Sequence, residues 1–199
     1  MDEIFFRFLN GLAGQWGPVD QLIQLLSSDH LFPLLSVLAL VWLWLAAIDE
    51  EERVIFQRGA LSALLAVGLA SAAVTILAIL FGKARPFTEL ANVHLLFYRP
   101  TDPAFPANSV AVVVAAGTAI ARQHRHLGKM IVWAGLAMGV ARIVAGVHWP
   151  SDVIFGALVG AAIGSKAHRV LTIIEPFATM VTTALLGPLP ATRLAKHRR

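Results

Sequence analysis

Apolar runs about as long as a membrane is thick recur along this chain, and no other feature restricts its fold as strongly. Two of the clearest extend from Leu31 to Ala47 and from Gly59 to Phe81. Over the whole chain 57% of the 199 residues are hydrophobic, only 14% are charged, and the mean hydropathy is +0.71. A membrane-spanning helix needs about 20 apolar residues. The sequence therefore predicts an all-α, polytopic membrane helix bundle with about five or six transmembrane helices.

Further apolar segments follow in the second half of the chain. Their expected limits are from about Asn108 or Ser109 to Arg122, from Lys129 to about Val147, and from Pro150 to about Ser165. A last apolar stretch is interrupted by Glu175-Pro176, and it either spans the membrane or lies in its interface.

We expect one integral-membrane domain covering residues 1–199. Residues 1–30 are apolar only in patches and carry a Gly17-Pro18 break, which is typical of an amphipathic, interfacial helix pair. The same segment lacks the basic start and the small-residue cleavage site of a signal peptide. Residues 31–165 form the expected core, and residues 166–199 hold a C-terminal apolar segment and a basic tail.

The order of the helices brings most of the unusual polar residues to one side of the membrane. The residues expected there are Lys83, Arg85, Asn108, Ser109, Arg142, His148 and Asp152. The basic residues expected on the other side are Arg53, Arg58, Arg122, Arg125, Lys129, Lys166 and Arg169. Positively charged loops favour the cytoplasm, so the polar cluster is predicted to face the periplasm or the exterior. The same pattern accounts for the net charge of +4 without nucleic-acid binding.

The residue types in this cluster suit an anion. A guanidinium matches phosphate oxygens, and a histidine held by an acid serves as a nucleophile or as an acid or base. Arg142 is the most informative residue, because it lies inside a span, where an unpaired arginine costs a few kcal/mol. Taken singly, Lys83 or Arg85 also fits a cation that reaches the lipid headgroups, and His148 fits an interfacial histidine. Cysteine is absent, which excludes thiolate metal sites.

The stretch from Ala141 to Asp152, ARIVAGVHWPSD, resembles the third signature of the type 2 phosphatidic acid phosphatase superfamily. That signature reads Ser-Arg, three residues, Gly, one residue, His, three residues, Asp. Arg85-Pro86 resembles the end of the first signature, and Phe105-Pro106 stands where the second one begins. Among family members, the small size and the Arg-Pro-Phe followed by a long loop are most similar to bacterial undecaprenyl-pyrophosphate phosphatases.

The resemblance implies a role for each matching residue. His148 would attack phosphorus and form a phosphohistidine, and Asp152 would orient and stabilise its ring. Arg85 and Arg142 would hold phosphate oxygens, with Lys83, Asn108 and Ser109 as further substrate-binding candidates. It implies a lipid phosphate or isoprenoid diphosphate as substrate, in the bacterial inner membrane, with no metal or other cofactor. The oligomeric state stays open.

The second and third signatures are incomplete in this chain. Ala107 and Ser109 stand where the family has a phosphate-binding serine and a general-acid histidine, and Ala141 replaces the serine that opens the third signature. The sequence does not distinguish natural from engineered replacements. Two alternatives therefore accompany the phosphatase: an impaired or inactivated relative that binds or transports a lipid phosphate, and a structural membrane bundle.

Overall fold

The computed structural model describes residues 1–45 and 50–186, and every regular element within these ranges is a helix. The helices are α1 (Asp2–Asn10), α2 (Gly17–Ser27), α3 (Leu31–Leu45), α4 (Glu50–Phe81), α5 (Pro86–Glu89), α6 (Asn108–Ile120), α7 (Arg125–Val144) and α8 (Pro150–Leu186). The predicted all-α fold is confirmed.

Three helical stretches of the described residues are long and apolar enough to cross a membrane. They are Val54–Glu89, Arg125–Val144 and Pro150–Ile174. The pair Gly17–Ser27 and Leu31–Trp42 meets the same criterion as one span bent by 52°, which gives up to four spans. Because α6 has only 13 residues, it is apolar but falls short of that length.

The helix starts expected from the sequence are present at Leu31, Asn108 and Pro150. The end expected near Ser165 is wrong, since α8 continues past Glu175-Pro176 to Leu186. A proline removes one backbone hydrogen bond but leaves most of the helical ladder intact, and an apolar environment favours keeping that ladder. The basic tail after residue 186 lies outside the described residues.

The N-terminal segment forms the two predicted helices, α1 and α2. On α1, Ile4, Phe5 and Phe8 are exposed, whereas Phe6 and Asn10 are buried. This helix therefore has one apolar face directed outward and another packed on the bundle. Its interfacial location in a membrane stays a prediction.

The short helix α6 lies at the centre of the bundle and packs against α4, α7 and α8. Small residues make its contact with α8 unusually close: Gly156, Gly160 and Gly164 face Ala107, Ala111 and Ala115. A Cβ atom on Gly160 would lie only 2.3 Å from the carbonyl oxygen of Ala111. Small residues at spacings of four allow helix backbones to approach in this way. The contact fixes the two helix starts that carry Ser109 and Asp152.

The ends of α4 and α7 and the starts of α6 and α8 meet at one end of the bundle, as the sequence predicted. The loop between α4 and α6 folds over this end. Ala104 N–H donates to the Lys83 carbonyl at 2.8 Å, Leu96 N–H to Ala145 at 3.1 Å, and Ala107 N–H to Asp152 at 3.0 Å. These backbone bonds bring together the three segments that resemble family signatures.

Candidate active site

The short connection between α7 and α8 carries His148 and is shaped by Gly146. Gly146 has a φ of +86°, a conformation that disfavours residues with a Cβ atom. A Cβ there would also lie 2.8 Å from the His94 carbonyl oxygen. The chain turns back at this point, and His148 is only 3% exposed.

The two ring nitrogens of His148 have different surroundings. Nδ1 lies 2.9 Å from the Ala104 carbonyl oxygen, while Nε2 lies 3.3 Å from Nη1 of Arg85 and 3.4 Å from Nη1 of Arg142. A carbonyl only accepts hydrogen bonds and a guanidinium only donates them. The network therefore assigns the hydrogen to Nδ1 and leaves Nε2 unprotonated, as the acceptor that faces the two arginines. Burial lowers the pKa of His148, and the two arginines lower it further, against the opposing effect of Asp152.

Asp152 lies directly behind the His148 ring and is completely buried. Its Oδ2 accepts a hydrogen bond from Trp149 N–H at 2.9 Å and lies 3.7 Å from His148 Nδ1. The second distance is too long for a hydrogen bond. Asp152 thus fixes the turn and places negative charge near the ring, while the Ala104 carbonyl holds the ring hydrogen. Ala104 acts through its backbone, so no residue pattern in the sequence indicated it.

Arg85 and Arg142 are both buried, and each also contacts a carboxylate. Arg85 donates from Nη1 to the Val147 carbonyl at 2.9 Å and from Nε to the Asp102 carbonyl at 2.9 Å. Its Nη2 lies 3.0 Å from Oδ1 of Asp102. Arg142 forms an ion pair through Nη2 with Oδ1 of Asp29. Sequence reasoning missed both carboxylates, because their positions next to the arginines depend on the tertiary fold.

A cavity of about 240 Å³ lies beside His148, which lines it. Most of the predicted site residues line it, namely Arg85, Asn108, Ser109, Arg142 and His148. Asp29, Tyr98 and Asp102 join them.

At the start of α6 the cavity wall carries the altered second signature. Ala107 is the N-cap residue and provides no side-chain cap, and Asn108 is exposed. The Ser109 Oγ is buried and has no hydrogen-bond partner among the described residues. The described part of the cavity wall therefore presents a hydroxyl at position 109 and no imidazole there.

Among the predicted substrate-binding residues, Lys83 is the one that does not line this cavity. Its Nζ lies 2.7 Å from Oδ2 of Asp2, 3.4 Å from Oγ of Ser151 and 4.5 Å from the centre of the Trp149 ring. Lys83 therefore holds α1 against the start of α8.

The other end of α1 contacts the opposite side of the His148 connection. Asn10 Nδ2 donates to the carbonyls of His94 at 2.7 Å and Val144 at 2.9 Å, and Asn10 Oδ1 accepts from His94 N–H at 3.0 Å. No role was assigned to Asn10 from the sequence. The pairing of Asp2 with the start of α8 and of Asn10 with the end of α7 makes α1 a part of the site's support.

The protein is a bundle of apolar helices with a buried histidine beside two buried arginines. Comparison with known families identifies the class of protein to which this arrangement belongs. The model of the PAP2 superfamily matches residues 59–173, more than half of the chain, so the chain belongs to the PAP2 superfamily. The predicted family is confirmed, and membership supports the predicted class of lipid phosphatase.

Individual relatives agree with this assignment. The chain is 28% identical over 155 residues to the bacitracin transport permease protein BcrC of Bacillus licheniformis, covering 78% of this chain and 73% of that protein. It is 23% identical over 182 residues to the undecaprenyl-diphosphatase BcrC of Bacillus subtilis (strain 168), covering 91% and 90%. The crystal structure of Aquifex aeolicus LpxE superposes with a TM-score of 0.64 at 27% identity, covering 83% of this chain and 93% of that one.

Proposed function

We propose that this chain hydrolyses an isoprenoid diphosphate, of the kind named for its undecaprenyl-diphosphatase relative, through a phosphohistidine at His148. The observation that carries the proposal is the position of His148 Nε2, which faces Nη1 of both Arg85 and Arg142 within 3.4 Å. An unprotonated imidazole nitrogen between two cations that can bind phosphate suits a phosphorus nucleophile.

The reaction proceeds in two displacements. His148 Nε2 attacks the terminal phosphorus, and the N–P bond forms as the P–O bond to the lipid phosphate breaks, with the electron pair leaving on that oxygen. Water then attacks the same phosphorus, the electron pair of the N–P bond returns to Nε2, the proton lost by the water passes to solvent, and inorganic phosphate leaves. Arg85 and Arg142 stabilise the charge on the equatorial oxygens, and Asp152 stabilises the phosphorylated ring.

The residue at position 109 favours a diphosphate over a monoester. A general acid contributes about 10²- to 10⁴-fold, and its loss matters most for a basic leaving group. A lipid monophosphate is a much weaker base than an alkoxide, so it leaves with less need for a proton. Ser109 in place of an imidazole is thus more compatible with diphosphate cleavage.

The site is proposed to face the periplasm or the exterior of a bacterial inner membrane. The support is the concentration of basic residues at the other end of the bundle, where Arg122 Nη1 donates to the Ser165 carbonyl at 3.0 Å. The natural absence of cysteine allows single cysteines at Thr101 and at Gln123 to be labelled in intact cells. An impermeant reagent should label position 101 only, and labelling of position 123 from outside would reverse the orientation.

Purified protein in detergent, given a labelled prenyl diphosphate and quenched rapidly, tests the chemistry. We expect inorganic phosphate release and an acid-labile, protein-bound phosphate, both lost in His148→Ala. His126→Ala is the matched control, because it removes a partly exposed histidine at the start of α7 and should keep both signals. Full turnover by His148→Ala would refute the mechanism.

A second candidate function is the binding or transport of a lipid phosphate without hydrolysis. Ala107 and Ser109 favour it, because they remove a hydroxyl and an imidazole from the second signature. Tight phosphate binding by the wild-type chain, with no turnover of any diphosphate and no trapped phosphate, would select this function.

A further inference from the structure

Asp29 contacts the phosphate-binding face of the site although it belongs to none of the three signatures. It lies between α2 and α3, where its Oδ1 pairs with Nη2 of Arg142. Its Oδ2 accepts a hydrogen bond from the Tyr98 hydroxyl at 2.6 Å. Asp29 and Tyr98 line the same cavity as His148 Nε2.

The nitrogen atoms of the Arg142 guanidinium have different surroundings. Its Nη1 points to His148 Nε2, its Nη2 holds Asp29, and its Nε has no hydrogen-bond partner among the described residues. A phosphate in front of His148 would approach the Nη1 and Nη2 pair, because a guanidinium grips phosphate through two parallel N–H groups. Asp29 already occupies one of those two groups.

The ion pair with Asp29 neutralises the charge of Arg142 before substrate binds. Arg142 is 3% exposed, and a buried cation without a counterion is strongly unfavourable. A carboxylate neutralises it until a substrate phosphate arrives. A carboxylate and a phosphate on the same guanidinium repel each other, so the two anions compete.

We propose that Asp29 is an affinity-determining residue that holds the phosphate position on Arg142 in the empty site and is displaced by the substrate phosphate. The inference rests on the proposed function, in which Arg142 binds phosphate. Displacement is sterically simple, because the Asp29 side chain is 32% exposed and Asp29 follows Ser28, the C-cap residue of α2. Its partner Tyr98 is 61% exposed.

Asp102 plays a weaker part at the other arginine. Its side chain is 72% exposed, so water screens its charge on Arg85. Arg85 also keeps two backbone carbonyls as partners, those of Val147 and Asp102, whichever way the Asp102 carboxylate turns. Removal of the Asp29 charge should therefore change anion affinity more than removal of the Asp102 charge.

The test uses full-length protein in detergent and inorganic phosphate as the probe, with binding measured by calorimetry and by thermal unfolding. Asp29→Asn should bind phosphate about tenfold more tightly than the wild type, a change of about 1.4 kcal/mol. It should also unfold at a lower temperature without phosphate and gain a larger increase in Tm with phosphate. Asp29→Glu, which keeps the charge, should bind phosphate as the wild type does.

Asp20→Asn is the matched control, since it removes the same charge from a carboxylate on α2 that accepts a hydrogen bond from Gly14 N–H at 3.0 Å and does not line the cavity. It should leave phosphate affinity unchanged. Equal or weaker phosphate binding by Asp29→Asn would overturn the inference. If Asp29→Asn unfolds during purification, recovery in phosphate buffer supports the inference and failure to recover overturns it.

The proposed function and this inference can be tested separately. Loss of phosphate binding in Arg142→Ala, with tighter binding in Asp29→Asn, supports the inference even if no diphosphate is hydrolysed. Wild-type affinity in Arg142→Ala would contradict the phosphate role of Arg142 and the inference with it.

Discussion

Asp2 and Ser151 are 149 residues apart in the chain, yet the Asp2 carboxylate accepts from both the backbone N–H and the hydroxyl of Ser151, at 3.0 and 2.6 Å. Ser151 belongs to the first turn of α8, where backbone N–H groups lack helical partners. Asp2 thus caps α8 from another helix, and it does so three residues after His148. This contact fixes the start of α8 close to His148.

Asp2→Asn should lower stability by about 0.5–2 kcal/mol, the range for losing a helix cap, and should lower kcat severalfold with little change in KM. Thermal unfolding and steady-state kinetics on a prenyl diphosphate measure the two effects. Glu3→Gln is the control, because Glu3 forms an exposed pair with Arg7 at 2.8 Å on the same helix. A kcat of Asp2→Asn equal to that of the control would mean that the cap does not position His148.

The same contact predicts a pH dependence of stability. Burial raises the pKa of Asp2, but hydrogen bonds from Lys83 and Ser151 outweigh it and lower the pKa below 3.8. A lowered folded-state pKa stabilises the protein above the unfolded value, and this stabilisation is lost as the pH falls through the folded value. Acid unfolding of Asp2→Asn should therefore show a smaller loss of stability below about pH 4 than the wild type.

His148 should remain a nucleophile at mildly acidic pH. Its pKa is lowered from 6.5 by burial and by both arginines, so the neutral ring persists below that value. We expect the acidic limb of the kcat/KM profile to lie below pH 6.5, measured with a prenyl diphosphate. An acidic limb above pH 6.5 would contradict the neutral, Nδ1-protonated ring that the hydrogen bonds assign.

Ser109→His should restore a proton donor at the cavity wall. The Ser109 Oγ is buried beside the cavity without a hydrogen-bond partner among the described residues, so an imidazole would replace no existing bond of that hydroxyl. The rate on a lipid monophosphate should increase by up to about 10²- to 10⁴-fold, and the rate on a diphosphate by less. Ser165→His, at the other end of the bundle, is the control. Equal rates for wild type and Ser109→His on both substrates would favour the binding or transport function.

Gly146→Ala should destabilise the protein and remove activity, because a Cβ at φ +86° is strained and would meet the His94 carbonyl at 2.8 Å. The conformational part alone costs about 1–2 kcal/mol. Gly68→Ala is the control: it lies within α4 with open space around it and should be neutral or stabilising by about 0.5–1 kcal/mol. Equal unfolding temperatures for the two variants would argue against this turn geometry.

The sequence by itself determined the helical membrane fold, several helix starts and the family. These properties depend on local patterns: the length of an apolar run, a proline at the start of a helix, and the fixed spacing from Arg142 to Asp152. The same spacing indicated His148 and Arg142 before any contact was known. The end of α8 was mispredicted, because a Glu-Pro pair is a common helix break in water and a weaker one among apolar neighbours.

Tertiary structure alone decided which groups surround His148 and Arg142. The sequence made Lys83 a candidate for substrate binding, but the Asp2 carboxylate holds it outside the cavity. The Ala104 carbonyl and the Asp29 carboxylate lie beside His148 and Arg142 only because distant segments fold over one end of the bundle. A backbone carbonyl has no residue signature, and a single aspartate in a helix connection looks like any solvated acid. Their roles arise from burial and proximity, which a linear pattern does not contain.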